Sequence, residues 1–264
     1  MTQAIQYQQQ NVLITGASSG IGLAFAHALA QQGANLILVA RSETTLITIR
    51  DELVKKYGIK AIVIAADLSC AGESSKVYAQ ACQQGFTPTV LINNAGRASY
   101  GHFSELSLAQ QQSEIMLNCM AVVDMSHATL PAMLANQFGV IVNVASTAAF
   151  QPDPYMAIYG ATKSFVLSFS GALWAENINH GVRVLALCPG ATNTAFFDVV
   201  NAKEALVGKR MSADAVVKLA LRAFDQGKNY TITGHANYFL AQLQRFLPRQ
   251  MVLRLTRKIL QPRV

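Results

Sequence analysis

Tyr159 and Lys163 stand four positions apart in YGATK, with only small residues between them. On a helix, positions i and i+4 share a face, so the phenol and the ammonium would act on one small volume. A positioned phenol can donate a proton to a reacting oxygen, and a nearby ammonium favours its ionised form. The spacing alone is weak. With 8 tyrosines and ten lysines in 264 residues, chance supplies such a pair roughly 0.3 times per chain. Tyr155 is a competing phenol four positions earlier, but its own i+4 residue is Tyr159 and not a lysine.

A second constellation is TGASSGIG, Thr15 to Gly22, directly after the apolar run NVLIT. Gly16, Gly20 and Gly22 leave no side chain in the way, so a pyrophosphate can sit against the free N–H groups of a following helix; Ser18, Ser19 and Ile21 complete the turn. The spacing G-x-x-x-G-x-G departs from the G-x-G-x-x-G fingerprint of dinucleotide sites, and a tight strand-to-helix turn is the plainer alternative. Another candidate ends the second apolar run as VARSE. An acidic side chain there would accept hydrogen bonds from ribose hydroxyls, as in NAD sites, whereas Arg41, with Ser42 as a second donor, suits a 2'-phosphate. Glu43 complicates that reading, and a solvated arginine is the bland one.

Short apolar runs must position these groups. They recur at 11–15, 35–40, 61–66, 89–93, 140–145, 182–188 and 230–233. The first six read as strands buried on both faces. Helical periodicity fills 20–32, 43–57, 72–84, 107–137, 159–179 and 212–226. The alternation predicts an α/β fold: one doubly wound domain with about seven parallel strands and helices on both faces. The length suits one such domain, and 52% hydrophobic residues suffice for its core.

Composition excludes several classes. The five histidines include no His-x-x-x-His pair and the four cysteines no Cys-x-x-Cys, which argues against a zinc site or a disulfide framework. The opening MTQAIQYQQQ lacks signal-peptide regions, so a cytoplasmic setting with reduced thiols is expected. The net charge of +7 comes from one place. Residues 226–264 hold seven basic and no acidic side chains, leaving 14 of each elsewhere, which argues against a nucleic-acid-coating surface.

Taken together, the sequence resembles the short-chain dehydrogenase/reductase family. The resemblance rests on Thr15–Gly22, NNAG at Asn93 to Gly96, Ser146 after the fifth core run, Tyr159 with Lys163, and PGATNT at Pro189 to Thr194, in family order over about residues 11–233. It implies a Rossmann-type fold and a catalytic set of Asn118, Ser146, Tyr159 and Lys163. Tyr159 would be the acid, Lys163 would also hold the nicotinamide ribose, Ser146 would hydrogen-bond the substrate carbonyl, and Asn118 would complete a proton relay through water. The ammonium and the cofactor's positive ring would bring the phenol nearer neutrality. Asp67 matches the family's adenine-contacting aspartate, with Leu68 beside it. Asn94, Ala95, Gly96, Pro189, Gly190, Thr192 and Thr194 complete the NADP(H) site, while Asn93 and Asn94 are expected to hold adjacent backbone together. Ordinary polar roles remain open for Ser146 and Asn118.

The expected activity is an NADP(H)-dependent reductase or dehydrogenase acting on a C=O or CH–OH group. Phe196, Phe197, Val199 and Val200, in the family's substrate-covering segment, suggest an apolar substrate: a fatty 3-oxoacyl thioester, a hydrophobic ketone, a retinoid-like aldehyde or a sterol-like alcohol. Rivals are an epimerase or dehydratase on the same fold and a non-catalytic NADP-binding protein. The resemblance also implies a homodimer or homotetramer through segments 107–137 and 159–179. Residues 1–234 form the expected domain and 235–264 a basic extension, divided by Pro248. On a helical wheel Met251, Val252, Leu253, Leu255, Ile259 and Leu260 fill one arc, with Arg254, Arg257 and Lys258 opposite. That pattern suits either peripheral contact with an anionic membrane or packing on protein.

Overall fold

In the computed structural model, which describes residues 5–196 and 210–262, strands and helices alternate as the apolar runs require. β1 (Asn11–Thr15) leads into α1 (Gly20–Gln31), β2 (Asn35–Ala40) into α2 (Glu43–Tyr57), and β3 (Ala61–Ala65) into α3 (Glu73–Gln83). β4 (Val90–Asn93) is followed by α4 (Leu108–Ile115) and α5 (Ala121–Ala135), and β5 (Gly139–Val144) by α6 (Ala157–Asn177). β6 (Val182–Cys188), α7 (Ala213–Asp225) and β7 (Tyr230–Ile232) close the sheet; α8 (His235–Leu243) and α9 (Arg249–Leu260) follow it. The strands fall within one residue of the apolar runs at either end. Pro248 divides the tail as expected, standing just before the first turn of α9 where its missing N–H costs nothing.

The seven strands pair in parallel in the order β3-β2-β1-β4-β5-β6-β7. Alternate residues feed two cores. Val12 and Ile14 of β1 join Phe25 and Leu29 of α1 and Phe224 of α7 on one face. Leu13 joins Val77 of α3 and Met125 of α5 on the other. Each such side chain, fully buried, stabilises the fold by about 1.5–3 kcal/mol. The expectation of burial on both faces fails at β3, an edge strand whose residues are mostly part-exposed; β7, the other edge, is part-buried throughout.

The order reverses between β1 and β4, which places the ends of those strands at a topological switch point where a crevice opens. One predicted helix is interrupted. Segment 107–137 contains a π turn, Met116–Met120, between α4 and α5, and Asn118 sits in it. Such a turn inserts a residue into the helix and re-aims side chains, a disruption found most often beside functional sites.

Candidate active site

A cleft of about 1000 Å³ runs along the carboxyl ends of the strands. Its nucleotide end is built by the turn after β1. Gly16 and Gly20 have φ of 65° and 57°, a left-handed conformation that a side chain would strain. A Cβ on Gly22 would collide with the Gly16 carbonyl oxygen, so Gly22 lets the turn close on itself and does not line the cleft. Ser19 stands at the start of α1 without capping it through its side chain, an arrangement suited to an anionic group at the helix N-terminus. Thr15 Oγ1 accepts from the backbone N–H of both Asn94 and Ala95 at 2.9 Å, and Asn94 Nδ2 donates to the carbonyls of Thr15 and Gly16. Asn94 thus holds backbone as expected. Asn93 does something else: its amide donates to Asn143 Oδ1 and Ser126 Oγ, tying β4 to β5 and α5 through side chains.

Ser18, Ser19, Ile21, Arg41, Ser42, Asp67 and Leu68 line this end with Gly16 and Gly20; Asn94, Ala95 and Gly96 line the middle. Arg41 is exposed and forms no salt bridge among the described residues. Ser42 Oγ is engaged with Thr45 Oγ1 at 2.8 Å. The Asp67 carboxyl accepts from Ser69 Oγ at 2.6 Å and from its N–H at 3.0 Å; these bonds, with lesser help from the Arg41 and Arg97 charges, hold it below the usual carboxylate range. A glycine-cradled helix terminus, an exposed guanidinium and a low-pKa carboxylate match the phosphate and ribose chemistry of a nicotinamide dinucleotide.

At the other end α6 carries Tyr159 and Lys163 on one face, with Nζ 5.8 Å from the centre of the phenol ring. Both are buried. Lys163 Nζ donates to the Val144 carbonyl at 2.7 Å at the end of β5. Ser146, two residues on, accepts from the Ala148 N–H, and its hydroxyl lies close enough to the phenol to lower its pKa. The expected shift of the phenol toward neutrality calls on the cofactor's positive ring as well as the ammonium; in the chain alone burial acts the other way. Burial pushes Tyr159 up to about 12, aided by the Asp153 and Glu114 charges and opposed by Ser146. Burial also brings Lys163 down to about 8. Desolvation therefore dominates, and the phenol carries its proton at neutral pH.

Asn118 is buried and absent from the cleft wall. Its Oδ1 accepts from Arg97 N–H at 3.0 Å; its Nδ2 donates to the Arg97 carbonyl and to Thr162 Oγ1. A Cβ on Gly96 would lie 3.2 Å from Asn118 Oδ1 and 3.6 Å from Lys163 Nζ, so the three groups are neighbours. Pro189, Gly190, Thr192 and Thr194 line the cleft after β6. The Phe196 ring tilts against Tyr159 with centroids 5.7 Å apart, while Phe197, Val199 and Val200 lie outside the described residues. Tyr155 does not line this cleft. Its backbone has φ of 66° and its ring meets His102 edge-on at 5.1 Å.

Three features are absent from the sequence reading. Glu114 and Asp153 line the cleft as buried carboxyls, each raised by burial to about 7. A position one turn ahead of Asn118 was the available signal for Glu114. The tail is the third. Val252, Leu255, Thr256, Ile259 and Leu260 of α9 line the cleft, together with Leu240 and Leu243 of α8, and Tyr100 Oη donates to the Leu260 carbonyl at 2.8 Å. The centre of the apolar arc therefore faces the cleft, where Val252 and Leu260 are buried and Leu255 and Ile259 stay open to it; Met251 and Leu253, at the two edges, are exposed without lining it. Among the described residues no cluster of side chains suits a metal ion, no helix is long and apolar enough to cross a membrane, and the four cysteines are free.

The family model described as short chain dehydrogenase matches residues 10–205. A very-long-chain 3-oxoacyl-CoA reductase of Pyrenophora tritici-repentis is 31% identical over 242 residues, 89% of this chain and 71% of that one. Among solved structures, a short-chain dehydrogenase from Sphingobium yanoikuyae in complex with NADPH is 33% identical with a TM-score of 0.82, covering 93% of this chain and 95% of that one. A bulky-bulky ketone specific alcohol dehydrogenase from Comamonas testosteroni is 31% identical with a TM-score of 0.78, covering 94% of each.

Proposed function

The chain belongs to the short-chain dehydrogenase family, and we propose that it is an NADP(H)-dependent oxidoreductase acting on the carbonyl or alcohol carbon of an apolar substrate. The observation that carries this is the single cleft that joins the uncapped N-terminus of α1 and Arg41 at one end to Tyr159, Lys163 and Ser146 at the other. When bound, the cofactor supplies the hydride. Ser146 orients the carbonyl oxygen, and Tyr159 gives that oxygen its proton. Lys163 supplies positive charge beside the phenol as charge develops on it, and holds the ribose hydroxyls. Asn118 keeps the Arg97 backbone and Thr162 fixed behind Lys163.

Arg41 supports NADP(H) over NAD(H), since it lines the cleft and forms no salt bridge among the described residues, and the Sphingobium relative was solved with NADPH. The leucine and isoleucine wall from α8 and α9 supports an apolar substrate, in keeping with the names of the 3-oxoacyl-CoA and bulky-ketone relatives. An epimerase or dehydratase would not consume cofactor, and a binding module would leave substrate unchanged. Measuring NADPH and NADH consumption against a panel of apolar ketones and 3-oxoacyl thioesters tests the reading. Turnover with NADPH supports it; cofactor binding without consumption across the panel counts against it.

Assembly and location belong to the same reading. Leu108 of α4 and Phe165 of α6 are exposed, and Phe165 stacks on Phe169 at 5.7 Å, which favours a homo-oligomer through those helices. A weak peripheral contact with anionic membrane would use Phe239 and Phe246, 71% and 83% exposed, beside Arg245 and Arg249, because the α9 arc is taken by the cleft. Flotation with anionic vesicles and release by salt would support that contact; no flotation would remove it.

A further inference from the structure

Glu114 stands on α4 one turn ahead of Asn118 and is completely buried. Its Oε2 accepts a hydrogen bond from Ser99 Oγ at 2.7 Å, and its Oε1 is buried with no partner. Leaving a buried polar oxygen unpaired costs about 1–3 kcal/mol, so its presence in a native fold calls for an explanation. The charged and titratable groups around it come from three elements. Arg97 and Ser99 lie in the segment after β4, Cys119 in the π turn, and Lys163 and Tyr159 on α6. Arg97 does not neutralise it: its Nη1 donates to Ser113 Oγ, and Glu114 forms no salt bridge among the described residues. The carboxyl instead acts electrostatically on both Lys163 and Tyr159.

Burial lifts Glu114 to about 7, with the Ser99 hydrogen bond and the Lys163 and Arg97 charges opposing, while Lys163 falls to about 8. Burial thus moves the carboxyl and the ammonium toward each other, the direction that favours proton exchange between them.

We propose that Glu114 is a positioning residue for proton supply, acting through Lys163 to restore the proton that Tyr159 gives to substrate. The proposal rests on the reading of Tyr159 as proton donor. In the reductive direction the Tyr159 O–H bond breaks and the former carbonyl oxygen gains that proton. The phenolate oxygen takes a proton from the Lys163 ammonium. The resulting amine takes one from the Glu114 carboxyl through an intervening water, and the buried carboxylate recovers its proton from Ser99 Oγ, which donates to Oε2, lines the cleft and takes a proton from solvent there in turn. The net proton consumed comes from water.

Glu114→Gln keeps the volume and the bond from Ser99 but cannot exchange a proton. In infrared pH-difference spectra of the protein alone, the wild type should show a protonated carboxyl titrating near neutrality that the variant lacks. Asp153→Asn, run in parallel, removes the other buried carboxyl's signal. With NADPH and a reducible ketone, kcat in Glu114→Gln should fall about tenfold, less than on losing the proton donor itself. The solvent deuterium isotope effect should grow, the break in kcat near pH 7 should vanish, and the KM for NADPH should stay unchanged. A merely structural role would alter thermal stability and leave the isotope effect alone. Should Glu114→Gln misfold, Ser99→Ala removes a bond that lowers Glu114 and should move the break upward. An unchanged isotope effect in Glu114→Gln, or an unmoved break in Ser99→Ala, overturns the proposal. If Tyr159→Phe is inactive while Glu114→Gln is normal, only the relay fails; if Tyr159→Phe stays active, the underlying reading fails too.

Discussion

Burial keeps the Tyr159 phenol protonated, and protonated is the state from which the acid of a reduction must act. Tyr159→Phe retains the ring that packs against Phe196 and removes only the transferable proton. Turnover should fall by about 10² or more with NADPH affinity little changed, as kinetics and cofactor titration would record. Near-normal turnover in the folded variant would dismiss Tyr159, although the packing of Tyr155 against His102 leaves it a poor replacement. Arg41 carries the cofactor preference. Losing one charge-assisted contact to a 2'-phosphate costs about 1.5–3 kcal/mol. Arg41→Asp should therefore weaken NADPH by roughly tenfold or more while NADH changes little. Equal losses for both cofactors would make Arg41 an ordinary surface residue.

Secondary elements explain which parts of the site were legible in the sequence. Strand ends and the glycine turn were readable because β1, β2, β4 and β5 are apolar and β-branched and because Gly16, Gly20 and Gly22 meet local backbone demands. The Tyr159–Lys163 pair was readable because helical spacing fixes a shared face. Contacts between elements were not. Glu114 acquires its meaning from Ser99 and from α6, and the α9 arc from a cleft built far away in the sequence; no local pattern encodes such neighbours. The π turn was hidden as well, since MLNCM reads as ordinary helix. A test belongs at this scale. Leu255→Ala with Ile259→Ala removes apolar wall at about 0.8 kcal/mol per buried methylene, so kcat/KM for a long apolar ketone should drop about tenfold or more. A short ketone and NADPH itself should be little affected. Equal kcat/KM for the long ketone in both proteins would deny the tail a role in binding substrate.

The whole molecule joins a neutral body to a basic tail that packs over its own cleft. The exposed Leu108 on α4 and Phe165 on α6 predict self-association, so sedimentation at micromolar concentration should give a dimer or tetramer. A monomer would mean that those faces stay wet. Chemistry is tested most directly by following the hydrogen itself. The full chain, incubated with NADPH carrying deuterium at the transferable position of its nicotinamide ring and a reducible apolar ketone, should yield an alcohol with one deuterium on the former carbonyl carbon. A product free of deuterium, or substrate recovered unchanged across the ketone and thioester panel while NADPH is bound, would contradict hydride transfer as the function of this cleft.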